Sequence, residues 1–513
     1  MLSESRTSKS LRNVKVALVF YFINLILQFF SRKIFLEYLG AEVLGLNTTA
    51  QNLLGFLNLA ELGIGGAIAY TLYKPLFHKD IQVINEIVSV QGWMYRKIAY
   101  MVIAGACVLM CFFPWIFAKA EVPLCYAYGS FIVLLVSSLL GYFINYRQVV
   151  LTADQKEYKI TLNVQGYKIL KVVLQILVIR YLADGYVYWM ILELMMAFVT
   201  VFVLNRVLRR EYPWLVSSPS EGKVLQKKYS DIITKTKQMF FHQIGHFVLL
   251  QTSPLIIYAY ASLTLVAIYG NYLLIVTGVT LLMNALLNSV SAGVGSLVAE
   301  GNKVCIKRFF WELTSCRIWI ASVICFGIYE LGDSFIRLWV GNEYILERPA
   351  FIILIVITFI SLTRTNDTFL SAYGLYQDIW APLTEACLNL GCSIGLGYFY
   401  GLPGILLGVA ISLLIIVCAW KPYFLYKCGF KESIWEYISG QGKYFILLCI
   451  SFLCAIYILN RLFPVGQIET YGDWLTYAFQ VIGIYGSVSL LFFYSMDRGM
   501  RDFSLRIKGI IYR

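Results

Sequence analysis

What most constrains this chain is a recurring run of uncharged residues, each run long enough to cross the roughly 30 Å hydrocarbon core of a bilayer. Ile98 to Ala118, Val122 to Tyr146, Ala386 to Trp420 and Trp474 to Met496 contain no Asp, Glu, Lys or Arg, and Phe247 to Ala299 is long enough for two crossings. Backbone in hydrocarbon must satisfy its own hydrogen bonds, so such segments are expected to be helices. Hydropathy and helix breakers together place them near 14–36, 44–72, 92–117, 124–147, 159–181, 186–207, 236–260, 264–297, 309–330, 349–371, 382–400, 404–427, 443–462 and 473–495. The expected fold class is an all-α integral membrane protein of about fourteen transmembrane helices. Composition agrees, since 59% of residues are hydrophobic and only 14% charged, against about a quarter charged in a soluble chain.

A net charge of +13 raises the question of a nucleic-acid partner, and the placement of the cations answers it. With the N-terminus inside, segments on the cytoplasmic side hold 31 of the 42 Lys and Arg, while the outer loops hold only Lys119, Arg180, Arg337, Arg348 and Arg461. That asymmetry sets orientation, with both termini expected in the cytoplasm, and makes nucleic acid unnecessary; the membrane is expected to be the plasma (inner) membrane of a bacterium. The polar start, Met1 to Lys15, runs directly into an apolar span with no cleavage-type site, so it is expected to stay on the chain. Twelve cysteines sit mostly in apolar spans without CxxC or metal-ligand spacing, which fits packing rather than metal or disulfide chemistry.

The richest basic cluster runs from Arg206 to Lys237 and separates two halves with a common order of features. Tyr38 to Leu46 and the glycines at 63, 65 and 66 are echoed by Tyr260 to Ile268 and the glycines at 293 and 295; Leu151-Thr152-Ala153 is echoed by Leu370-Ser371-Ala372. The expected organisation is a cytoplasmic tail (1–15), a six-helix bundle (16–208), a basic linker (209–235), a second six-helix bundle (236–428), an appended helix pair (443–496) and a cytoplasmic tail (497–513). Parallel six-helix repeats around a central cavity are a transporter architecture.

Ionisable and strongly polar side chains inside spans cost about 2.5 to 3.5 kcal/mol each at mid-helix, so they mark function. Asn24, Gln28 and Arg32 form one stripe on the first helix, and Lys168, Lys171 and Gln175 form another on the fifth. Gln51, Asn58 and Glu61 lie on the second, Glu193 on the sixth, His242 and His246 on the seventh, Arg364 and Asp367 on the tenth, and Glu385 and Asn389 on the eleventh. Lys33 and Glu37 sit near a span end and are expected to snorkel. Arg364 and Asp367, three apart, either neutralise each other or line a cavity. His242 and His246 have metal-ligand spacing without a third ligand, so no metal is expected. Arg32, Lys168 and Lys171 have no acidic residue three or four positions away and are expected to line a cavity. The glycines at 63, 65 and 66 follow no strand and are not a phosphate-binding loop.

The segment from Ser31 to Lys79 carries Ser31-Arg32, then Leu39, Gly40, Glu42 and Gly45, then Glu61-Leu62-Gly63-Ile64-Gly65 and Tyr73-Lys74-Pro75. It resembles the N-terminal signature of Wzx-type polysaccharide exporters of the multidrug, oligosaccharidyl-lipid and polysaccharide (MOP) exporter superfamily. The resemblance implies two six-helix bundles in a V around a central cavity, two C-terminal helices, and alternating access. It implies a flippase that moves a polyprenyl-diphosphate-linked oligosaccharide to the outer leaflet for surface polysaccharides such as O-antigen or capsule, with a polymerase and glycosyltransferases of the same pathway as partners. Related lipid-linked precursor flippases use cavity arginines, one in a Ser-Arg pair matched here by Ser31-Arg32. A further first-helix arginine is absent, and Glu37 and Tyr38 stand nearby.

Such a substrate needs a polar path, because its hydroxyls and anionic head lose water in hydrocarbon. The substrate-binding set is Arg32, Lys168, Lys171 and Arg364 for anionic groups, with Asn24, Gln28, Gln51 and Asn58 for hydroxyls. The chain has no GxxxxGK[ST] motif, so no nucleotide cofactor is expected and energy comes from H+ or Na+ or the membrane potential. Glu61, Glu193, Asp367, Glu385, His242 and His246 are the ion-coupling candidates. Competing expectations are a multidrug or cation antiporter of the same superfamily and, fitting less well, a membrane polysaccharide polymerase or ligase, since the outer loops are short and lack a clustered catalytic set. The chain is thus expected not to be an enzyme.

Overall fold

The computed structural model describes the backbone of residues 6–375, 377–378, 380–463 and 468–511; within these, side chains at 6–12, 14, 60, 238, 241–251, 284–293, 296, 299 and 507–511 lie outside the description. The described chain is helical without strands. Eleven helices are long and apolar enough to cross a membrane among the described residues. Gly40 interrupts the first of them and Gly401 interrupts the stretch Trp380–Phe430, which resolves eleven into thirteen. The helix Ser230–Tyr260, at 31 residues, is long enough for a further crossing.

Two compact units divide the chain at Ala267. Unit 1 contains α1 (Arg6–Leu57), α2 (Ile64–His78), α3 (Ile81–Cys111), α4 (Phe113–Ile116), α5 (Leu124–Phe143), α6 (Val149–Ala153), α7 (Glu157–Tyr181), α8 (Gly185–Glu211), α9 (Gly222–Lys228) and α10 (Ser230–Tyr260). Helix α11 (Leu263–Glu300) begins at its end. The expected second bundle began at 236, yet α10 packs within unit 1. The contact is close: a Cβ at Gly63 would sit 2.9 Å from both the Met239 Cβ and the Thr236 carbonyl oxygen, and the Tyr258 hydroxyl donates to the Ile116 carbonyl at 2.8 Å. The basic segment 209–235 is also more than a linker, since α9 lies on α3 and Lys228 pairs with Glu86 at 2.5 Å.

The expected second span is broken. A 3₁₀ turn at Asn58–Glu61 and Gly63 at φ +89° separate the end of α1 from α2. A side chain at Gly63 would meet both the left-handed backbone and α10, so only glycine fits.

Unit 2 contains α12 (Lys303–Trp339), α13 (Arg348–Leu362), α14 (Thr365–Ala372), α15 (Trp380–Leu413), α16 (Lys421–Phe424), α17 (Trp435–Leu462), α18 (Tyr471–Met496) and α19 (Arg498–Ile511). Two π-helical stretches, Leu414–Trp420 and Leu425–Phe430, flank α16. Phe310, Phe369, Tyr426 and Phe430 build an edge-to-face aromatic core. The expected pair 443–496 forms α17 and α18, which pack on α12 through Phe326, Tyr485 and Phe452. Of the segment 497–513, expected as a tail, Arg498–Ile511 instead folds as α19 against unit 2: Met500 is buried, and Arg506 grips the buried Glu312 with two hydrogen bonds of 2.9 and 3.2 Å.

Candidate functional site

In unit 1 the polar stripes of α1 and α7 meet along one seam. The side chain of Asn13 donates to the Gln155 carbonyl at 3.1 Å and accepts from the Tyr158 backbone N–H at 2.8 Å. Eleven residues further on, Asn24 donates to Gln165 Oε1 at 3.2 Å. The partners advance together in sequence, so α1 and α7 run in the same direction with a constant offset. That offset brings Gln28 level with Lys168 and Ile169, and Arg32 level with the turn after Lys171. Two stripes that are local on their own helices thereby become one polar face.

The members of that face differ in what holds them. Arg32 is half-buried and donates to the Ala267 carbonyl at 2.9 Å. Gln28 and Lys168 are exposed. Among the described residues, no carboxylate lies within ion-pair distance of Lys168. Lys171 differs from expectation: it pairs with Glu193 of α8 at 2.6 Å. The partner lies 22 positions away, across a helix–helix contact, beyond any one-helix spacing rule. Gln175, 4% exposed, donates to the other Glu193 oxygen at 3.0 Å and to the Trp189 carbonyl at 3.3 Å. Gln165 and the Glu193 pairing were not picked out by sequence, because neither shows until α7 is laid against its neighbours.

A second cluster in unit 1 surrounds the break before α2. Glu61 accepts from the Tyr95 hydroxyl at 3.2 Å, Tyr95 stacks on Tyr142, and Asn58 accepts from Ser138 at 3.3 Å. Gln51 is exposed. The bonds of Asn58 and Glu61 run to α5 and α3 and not to α7. His242 and His246 fall in α10 among residues whose side chains lie outside the description. No group of three or more His, Cys, Asp or Glu is arranged to hold a metal among the described residues.

In unit 2, Arg364 bonds Asp367 at 2.6 Å, and Lys421 reaches the other Asp367 oxygen at 2.8 Å. The pairing is the mutual neutralisation that was one of the two expectations for Arg364. Arg364 and Asp367 also line a cavity of about 530 Å³ with Asn366, Cys418, Tyr437 and Gln441. Glu385 is 4% exposed, lies within electrostatic reach of Arg364 and Lys421, and leaves Oε1 without a hydrogen-bond partner. One turn and two turns on, Asn389 and Ser393 are fully buried and bonded to each other at 3.1 Å. Sequence reasoning missed Arg317, buried and donating to Thr368 at 3.1 Å, and Lys421; both had the signal of a lone cation beside apolar sequence.

Many helices long and apolar enough to cross a membrane, with charged side chains drawn into three internal groups, define a multi-pass helical membrane fold. Among solved structures, the lipid II flippase MurJ in an inward closed conformation matches with a TM-score of 0.64 at 15% identity, over 94% of this chain and 99% of that one. An inward-facing multidrug resistance MATE family transporter of the MOP superfamily matches with a TM-score of 0.59 at 13% identity, over 82% of this chain and 99% of that one. No family model matches the sequence, and no curated protein matches it at a significant level. The chain therefore shares its fold with these two proteins.

Proposed function

We propose that the chain is a flippase that carries a polyprenyl-diphosphate-linked oligosaccharide from the cytoplasmic to the outer leaflet for surface polysaccharide biosynthesis. The observation that carries this is the α1–α7 seam, where Lys168 stands exposed at mid-helix with no carboxylate partner among the described residues. An ammonium at that depth is tolerated only where water or an anion reaches it. Lys168, with Arg32 nearby, attracts the diphosphate, while Asn24 and Gln28 on the same face meet sugar hydroxyls. Likeness to a protein named as a lipid II flippase supports a lipid-linked substrate. Gln51, Asn58 and Arg364 are assigned no direct contact in this scheme.

Export of an anion is favoured by an inside-negative potential, at about 2.3 kcal/mol per charge per 100 mV. H+ or Na+ coupling falls to Glu385 or Glu61, carboxylates in the two clusters away from the seam that, unlike Asp367, have no ion-pair contact among the described residues. The test is complementation in a strain lacking its own flippase. Arg32→Ala and Lys168→Ala together are expected to cut surface polysaccharide at least about tenfold at normal protein level, with Arg32→Lys retaining part. Full export by the double variant would remove the seam from the mechanism.

One observation favours a second reading, a cation antiporter: the buried Glu385 carboxylate with an unpartnered oxygen, in a fold shared with a MATE family transporter. Efflux of a cationic dye that disappears in Glu385→Gln, with no polysaccharide phenotype, would select it.

A further inference from the structure

We propose that Glu193 is an internal counter-ion that the anionic substrate displaces from Lys171, which makes it a specificity-determining residue of the α7 face. This rests on the reading that the seam takes a diphosphate headgroup. Lys168 and Lys171 stand one helical turn apart on the same helix, so their side chains are neighbours. Only one of them is in ion-pair contact: Lys171 lies 2.6 Å from Glu193, while Lys168 is exposed and has no ion pair among the described residues. The face thus presents one open cation and one masked cation.

The mask is built to stay when its partner leaves. Gln175 is buried, donates to Glu193 Oε2 at 3.0 Å and is itself tied to the Trp189 carbonyl at 3.3 Å. Glu193 is therefore held by its second oxygen independently of Lys171. Lys171, by contrast, is held through a flexible four-carbon stem by one contact, and its ammonium can swing toward an anion bound at Lys168. Both members of the pair are only partly buried, at 21% and 12% exposure, so the exchange does not strand a fully desolvated charge. Masking lowers the cost of holding a second cation in the membrane. A headgroup with two or more negative charges replaces Glu193, whereas a single charge is satisfied by Lys168 alone.

The two roles open to Glu193 predict opposite signs. A residue that merely positions Lys171 would weaken anion binding when neutralised; a competitor would strengthen it. The experiment is titration of the purified full-length chain with farnesyl diphosphate as the probe. Glu193→Gln, which keeps the shape and the bond to Gln175, is expected to bind about fivefold more tightly, the scale of a partly screened ion pair. Glu193→Asp is expected to stay within about twofold of wild type, and Lys168→Ala to weaken binding in either background. Weaker or unchanged binding by Glu193→Gln overturns the proposal. Failure of the wild-type chain to bind the diphosphate at all overturns the diphosphate reading beneath it, and the two failures are distinct in the same titration.

Discussion

Arg506 and Glu312 show what a single side chain can hold. Glu312 is 1% exposed on α12 and is met by Arg506 from α19 in a two-pronged contact, with Arg308 3.5 Å away. Removing one partner of a buried pair leaves a charge without compensation, at about 3 to 5 kcal/mol when both are buried. Arg506 is half exposed, so Arg506→Ala is expected to cost nearer 1 to 2 kcal/mol. The readout is thermal unfolding in detergent, and adding Glu312→Gln to that variant should recover most of the loss. Residue-scale features were legible in the sequence only when local. Arg364 and Asp367 share a helical turn, and their pairing was among the expectations. Lys171 with Glu193, Asn24 with Gln165 and Arg506 with Glu312 are separated by 22, 141 and 194 positions, and no periodicity encodes which helix face meets which.

At the scale of elements, the informative positions are where helices stop being helices. Gly40, at φ +80° and ψ 169°, turns α1 from one span into the next, in a region of backbone space that is essentially glycine-only and costs other residues about 1 to 3 kcal/mol. Gly40→Ala is expected to lower the amount of folded protein in the membrane severalfold, measured by fluorescence-detected size exclusion, with no change at a control such as Gly442→Ala, where a Cβ meets nothing. Most helix positions follow from apolar length alone. The break at Asn58–Gly63 was not legible, because an apolar stretch reads the same whether or not α10 presses against it. α19 was also missed: its apolar face is spaced for a helix, but a 14-residue segment rich in arginine reads as a tail until a partner surface is known.

For the whole molecule, we propose from the cation asymmetry and an even number of crossings that both ends lie on the cytoplasmic side. Green fluorescent protein fused after Arg513 is expected to fluoresce, and alkaline phosphatase inserted after Lys119 to be active while the same insertion after Ser217 is silent. Activity at Ser217 would invert the orientation. The division into units also has a bearing here, since α10 travels with the first half through its contact at Gly63 and Met239.

The π-helical stretches around α16 mean that the chain carries extra residues between Leu413 and Lys431 beyond what a plain α-helix would need. Loss of one residue from a plain α-helix would rotate everything after it by about 100°, whereas loss of one from Leu414–Trp420 can relax the widened turns to 3.6 residues per turn and leave the helix beyond nearly in phase. Lys421 would then keep its place beside Asp367. The widened turns therefore act as slack: the ion cluster of unit 2 tolerates a one-residue deletion here, and would lose Lys421 to the same deletion made in a stretch that has no residue to spare.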